Sequence, residues 1–219
     1  MSATPDMTAG SRKDAVNGFK RQLIRDAAKS VFAAQGIQAA SLREIARSAG
    51  CTTGAIYSLY ESKEELYADL LRESMRTLIA RMGPAAAGRE GAAAALRAML
   101  DFYLERPDDY ELHFYLYGGA RPVGLRPDLD RQLNEETRAV IDLVTAAVAA
   151  EGLAAPAQAA RLALSAMAQV FGIVLLHKTG RLKSWRQDAP ALLQTYLGTL
   201  AAAAPAARRA PRPRARAAR

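Results

Sequence analysis

The sequence predicts an all-α protein, and three observations carry that reading. Apolar residues recur at spacings of three and four through most of the chain. Serine, threonine and proline stand where helices would begin, and glycine where they would end. No seven-residue window alternates in the manner of a strand. With 219 residues, half of them apolar, the chain can build one or two compact domains around a real core.

The first eleven residues lack periodicity. From Arg12 or Lys13 onward, Val16, Phe19, Leu23, Ala27, Val31 and Phe32 mark the buried stripe of one helix that ends near Gly36. Ser41-Leu42-Arg43-Glu44 is a capping box, so a short helix should run from Leu42 to Ser48. Gly50 relieves the backbone behind it, and Thr52 or Thr53 caps a second short helix carrying Ala55, Ile56 and Leu59. Ser62-Lys63-Glu64-Glu65 repeats the capping-box pattern and opens a longer helix through Leu66, Leu70, Met75 and Ile79, with Gly83-Pro84 as its stop.

Beyond Gly91, Leu96, Met99, Leu100 and Tyr103 mark an amphipathic helix closed by Arg106-Pro107. Tyr110 to Tyr117 forms another, ended by Gly118-Gly119. Residues 121–128, with two prolines and a glycine, read as a loop or an irregular short turn. Leu129 to Ala150, Pro156 to about His177, and Ala189 to Ala203 complete the helices. From there the chain contains only Ala, Arg and Pro, a composition that cannot offset its ordering entropy. A disordered tail is therefore expected over 205–219.

Composition narrows the function. One Cys and two His, the latter 64 positions apart, provide no thiolate cluster, disulfide framework or spaced metal-ligand set. No metal and no cofactor are expected, and a reducing cytoplasm is the simplest location. The opening MSATPDMTAG lacks a basic start followed by an apolar run, and the greasiest stretch, Val170 to Leu176, is too short to span a bilayer. Cys51 occupies a packing position in a turn; Asp108-Asp109 and Glu135-Glu136 read as solvated faces; no glycine-rich phosphate loop is present. An enzyme is disfavoured.

Charge is unevenly placed. Residues 1–60 carry 8 basic and 4 acidic side chains, residues 61–204 carry 16 and 18, and the last fifteen residues hold six Arg and no acid. A basic head on a slightly acidic body suggests that one part meets a polyanion. The tail arginines can prolong encounters with nucleic acid without reading its sequence, or simply solubilise the end.

The informative stretch is Ile45 to Leu59. Read as two helices joined by a tight turn, it points Ile45, Ala49, Cys51, Ile56 and Leu59 inward, with small Ala46 at the crossing. Thr52, Thr53, Gly54, Tyr57, Ser58 and Tyr60 are left on the exposed side or N-terminal end of the second helix. A helix of this size enters a DNA major groove N-terminal end first.

Gly36, Ser41-Leu42-Arg43-Glu44-Ile45-Ala46, Gly50 through Tyr57 and Tyr60 through Leu66 together resemble the TetR-like family of bacterial transcriptional repressors. The likeness covers about 50 residues, with mild departures at Ser41, Cys51, Thr52 and Tyr60, of which Cys51 and Thr52 leave operator preference open. It implies a three-helix DNA-binding head over 12–61 followed by a larger helical dimerisation and ligand-binding domain over 62–204. It further implies that Ser41 and Arg43 meet phosphate or a groove edge, that Thr52, Thr53 and Gly54 begin the recognition helix, and that Tyr57, Tyr60 and Lys63 contact the DNA backbone. The partners expected are an operator duplex, a second copy of the chain, and a hydrophobic effector.

Met99, Phe102, Tyr103, Tyr110, His113, Phe114, Tyr117, Met167, Gln169, Phe171 and His177 are candidates to line or border an effector cavity, or else ordinary core. His177, near a helix end, reads better as a cap or solvent-facing group. The helix 156–177, along Leu162, Ala166, Gln169, Val170, Ile173 and Val174, and the helix 189–203, along Leu192, Leu193, Tyr196, Leu197 and Leu200, offer a four-helix dimer interface. The competing reading is a helical adaptor that keeps the head fold without operator recognition.

Overall fold

A computed structural model describes residues 9–114 and 126–203, and every element in them is a helix. The chain divides into two compact units, residues 1–73 with 108–133 and residues 74–107 with 134–219.

In the first unit α1 spans Ala9–Ala39, starting slightly ahead of its expected onset, and breaks at Gly36 (φ 76°, ψ 162°). That positive φ suits glycine, and it turns the chain where the sequence places the helix end. The stripe of α1 is buried only in its second half, at Ile24, Ala27, Ala28 and Phe32. Val16, Phe19 and Leu23, expected in the core, remain exposed because no described segment covers that end of the helix. Helices α2 (Leu42–Ser48) and α3 (Thr53–Tyr57) follow, then α4 (Lys63–Ala86), whose Leu66, Tyr67 and Leu70 join this core. The rings of Phe32 and Tyr67 meet edge-on at 5.6 Å.

Helix α6 (Pro107–His113) docks here too. The Tyr67 hydroxyl donates to the Leu112 carbonyl at 2.8 Å, and Lys29 lies 3.7 Å from the buried Asp109. Its start is earlier than expected because Pro107, lacking an N–H, is well suited to a first helical position. Its expected extension toward Tyr117 and the loop over 121–125 lie outside the described residues. Pro127 and Asp128, expected in that loop, instead open α7 (Pro127–Ala150). The same preference of proline for a helix start applies.

In the second unit α5 (Gly91–Glu105), α8 (Pro156–Lys178) and α10 (Ala189–Ala203) pack on one another, and Leu96, Met99, Phe102, Ala166, Val170, Leu193 and Leu197 of these helices are buried. The amide of Ala92 donates to Glu151 at 2.7 Å, and Lys178 donates to the Pro107 carbonyl at 2.9 Å. Gly91 is required by space, since a Cβ there would lie 2.0 Å from the Ala86 carbonyl oxygen. Gly83-Pro84 does not stop α4, which ends at Ala86 with Pro84 inside its last turn. A proline so close to the end disturbs little of the remaining ladder. The short α9 (Arg181–Ser184) went unforeseen.

The face of α8 expected at an interface is partly core: Ala166, Val170, Ile173 and Val174 are buried within the subunit, as are Leu193 and Leu197 of α10. The exposed apolar face of α8 runs instead through Leu164, Ala168, Gly172 and Leu175. Over its whole length α8 is also more apolar than its greasiest stretch suggested. An 18-residue window has a mean hydropathy of 1.8, enough by length and composition to cross a membrane. Its buried face packs on α5 and α10.

Candidate nucleic-acid interface

The interface begins at Ser41, whose extended backbone ends the segment after Gly36. Its hydroxyl accepts from the Glu44 amide at 3.3 Å and donates to the Glu44 carboxylate at 2.8 Å, while its own amide donates to that carboxylate at 3.0 Å. Gln35 adds a fourth bond at 3.2 Å. The Ser41 hydroxyl and then its amide hold the Glu44 carboxyl below its ordinary pKa, because each stabilises the charged form. Ser41 remains exposed at the start of α2, and Arg43 and Arg47 project from the same helix into solvent.

The turn between α2 and α3 is a complete Schellman motif. The Cys51 amide donates to Ala46 at 3.0 Å, the Gly50 amide donates to Arg47 at 3.2 Å, and Gly50 takes φ +64°. Thr52 then caps α3, its Oγ1 accepting from the Ala55 amide at 3.2 Å, and Ser58 closes the far end by donating to the Ala55 carbonyl at 2.8 Å. Ile45, Ala46 and Ile56 anchor the pair in the core. Ala49, Cys51 and Leu59, expected inward, are half-buried. On the outer side Thr52 and Gly54 are exposed, Thr53 is half-buried, and Tyr57 is 59% exposed. The pair thus presents a short polar helix start and one large aromatic ring to solvent.

Two expected contacts have other work. Tyr60 is not on the exposed side: only 3% of it is accessible, and its hydroxyl donates to Asp69 at 2.6 Å. Burial, reinforced by that bond to a carboxylate, pushes its hydroxyl pKa well above the ordinary value. Lys63, half-buried, donates to the carbonyls of Gln38 at 2.9 Å and Ala40 at 3.2 Å. A lysine in the first turn opposes the helix dipole, and here the carbonyls left open beyond Gly36 compensate it. The Ser62 box is only half formed: the Glu65 amide donates to Ser62 at 3.1 Å, but the Glu65 carboxylate receives the Glu61 amide at 2.6 Å.

Sequence reasoning missed the ionic cluster behind this surface. Arg25 of α1 meets Asp69 at 2.9 Å and Glu73 at 2.6 Å, both on α4, and the Arg21 guanidinium lies 5.7 Å from the Tyr60 ring centre. Asp69 therefore receives both Arg25 and Tyr60. The signal was legible as two matching i,i+4 pairs of opposite charge, Arg21 with Arg25 and Asp69 with Glu73.

The effector candidates fall in both units. Met99, Phe102, Tyr103 and Met167 are buried in the second, where the rings of Tyr103 and half-buried Phe171 meet edge-on at 6.0 Å. Tyr110, His113 and Phe114 belong to the first, the Tyr110 and Phe114 rings 4.9 Å apart. Tyr117 lies outside the described residues. Gln169 and His177 are exposed. Among the described residues no group of three or more His, Cys, Asp or Glu is placed to hold a metal ion.

Comparison with known proteins gives the family and the fold. Residues 24–70 match the family model described as bacterial regulatory proteins, tetR family, and residues 92–200 match that of the tetracyclin repressor-like C-terminal domain. The HTH-type transcriptional regulator SrpR of Pseudomonas putida is 40% identical over 105 residues, 48% of this chain and 49% of SrpR. The HTH-type transcriptional regulator TtgW, also of Pseudomonas putida, is likewise 40% identical over 105 residues, 48% of this chain and 78% of TtgW. The aligned region thus spans about half the length of SrpR. The crystal structure of the transcriptional regulator FadR from Bacillus subtilis in complex with stearoyl-CoA shares the fold, with a TM-score of 0.64 and 21% identity over 82% of this chain and 96% of that one.

Proposed function

The chain belongs to the tetR family of bacterial regulatory proteins, and from that premise we propose that it is a ligand-responsive repressor reading a palindromic operator as a homodimer in the cytoplasm. The observation that carries this reading is the α2–turn–α3 unit, anchored by Ile45, Ala46 and Ile56 and open to solvent at Thr52, Gly54 and Tyr57. Residues 12–61 form the reading head and residues 62–204 the regulatory and dimerisation part, with 205–219 as an Arg-rich tail.

Thr52, Thr53 and Gly54 approach base edges and Tyr57 approaches the backbone, while Ser41 and Arg43 contact phosphate. Tyr60 acts indirectly, holding the end of α3 through Asp69. Lys63 spends two of its three donors on Gln38 and Ala40 and has one left for a phosphate. Two heads related by a two-fold axis then read two half-sites, with the copies joined through α8 and α10. An apolar effector held among Met99, Phe102, Tyr103, Met167 and Phe171 releases the operator by favouring the state that binds DNA poorly, and by no more than its differential affinity. The acyl thioester bound by the FadR of similar fold supports an apolar ligand of this kind.

The test is selection of genomic fragments with the purified protein, followed by footprinting and titration of the recovered site. A symmetric footprint is expected, with Tyr57→Ala weakening binding about tenfold or more at unchanged dimer mass. Retention of DNA without sequence preference would favour the adaptor reading.

A further inference from the structure

The head carries a groove that no described part of the chain fills. Its volume is about 680 Å³, within the range of small-molecule sites. One wall is the uncovered stripe of α1, with Val16, Phe19 and Leu23 exposed by 52%, 67% and 42%; the other is formed by Cys51, Ala55 and Leu59. An apolar face of that size, concave and standing on otherwise well-packed helices, gains by excluding water. Its charge is one-sided. Lys20 is at the rim, no carboxylate lines the groove, and Lys20 makes no ion pair among the described residues.

We propose that this groove binds an amphiphilic organic anion, its apolar chain or ring seated between Phe19 and Leu23 on one side and Ala55 and Leu59 on the other, its anionic group at the Lys20 ammonium. The site is separate from the α5–α8 residues assigned to the effector. Ala55 is on the inner side of α3 and Leu59 lies just beyond its end, so the ligand bears on the back of the helix whose outer side holds Tyr57. Only that consequence for DNA rests on the operator reading; occupancy is measured without DNA, so the two can fail separately.

The probe is anilinonaphthalene sulfonate, an aromatic apolar body with a fixed anion, titrated into the full-length protein. Cys51 is the one cysteine of the chain and lines the groove, so its rate of reaction with a disulfide reagent reports occupancy in the unaltered protein. Saturating probe is expected to slow that reaction about fivefold or more by covering the thiol. Phe19→Ser, at an exposed position, should weaken protection about tenfold, and Lys20→Gln about threefold. Uncharged anilinonaphthalene should ignore the Lys20 change. An unchanged Cys51 rate at saturation overturns the proposal, as does protection that survives both substitutions. Protection that grows with protein concentration in the absence of probe assigns the groove to a second copy of the chain and overturns it as well.

Discussion

At the level of single residues, capping and ionic contacts set the exposed surface of α2 and α3. Ser41 illustrates both. Its bonds lower the Glu44 carboxyl pKa in the folded protein, so that group's contribution to stability is complete above its ordinary value of 4.5 and disappears as pH falls through the lower folded value. Carbon-detected titration of Glu44 should show its midpoint rising toward the ordinary value in Ser41→Ala; an unmoved midpoint would remove Ser41 as the cause. Tyr60→Phe deletes the bond to Asp69 and should cost about 1–2 kcal/mol in chemical denaturation. If Tyr60 acts on DNA only through α3, the same variant loses operator affinity with an unchanged pattern of phosphate ethylation interference, whereas loss of one interfering phosphate would assign Tyr60 a direct backbone contact. The cap at Ser41 and the turn glycine were legible because each has a short-range signature. The burial of Tyr60 was not, since its partners Asp69 and Arg25 are 9 and 35 positions away in sequence, and only tertiary packing brings them together.

At the level of elements, the sequence located α2, α3, α8 and α10 closely because local caps and periodicity agree there with the tertiary environment. It misjudged the end of α4, where Gly83-Pro84 reads as punctuation although the helix has only two more residues to run. It missed α9, which has no side-chain cap bond and is too short for periodicity to register. It also overextended the buried stripe of α1, because a helical repeat shows that a face is apolar and not that another element covers it. Two glycines separate conformation from space. Gly50→Ala meets open space but needs φ +64°, so the loss should be about 1 kcal/mol. Gly91→Ala has no such φ but drives a Cβ into the Ala86 carbonyl, so thermal denaturation should report about 1–3 kcal/mol. A negligible loss at Gly91 would mean that the α4–α5 turn relaxes freely.

At the level of the whole molecule, the expected interface face and the actual exposed one differ by part of a helical turn. Ala166, Val170 and Val174 are used up inside the subunit, leaving Leu164 and Leu175, 53% and 47% exposed, on either side of the small Ala168 and Gly172. Small residues permit close helix approach, and on that ground we propose this face as the seat of a second copy. Leu164→Glu with Leu175→Glu should yield monomers by sedimentation, and operator affinity should fall by about a hundredfold or more as two-site binding is lost. A dimer that persists would move the interface to α10 alone. The tail acts differently: deletion of 205–219 should reduce the salt dependence of nonspecific binding through the loss of six arginines while leaving the selected operator motif intact. A changed motif would show that the tail reads sequence.

Lys63 and Asp69 have a mechanical corollary. One fastens the chain leaving Gly36 to the first turn of α4, and the other ties the loop behind α3 to the same helix one to two turns later. Since both ends of the reading pair are bolted to that shaft, a twist of its opening turns cannot be dissipated as slack in the connecting loops. It would be delivered as rotation of Thr52 and Tyr57.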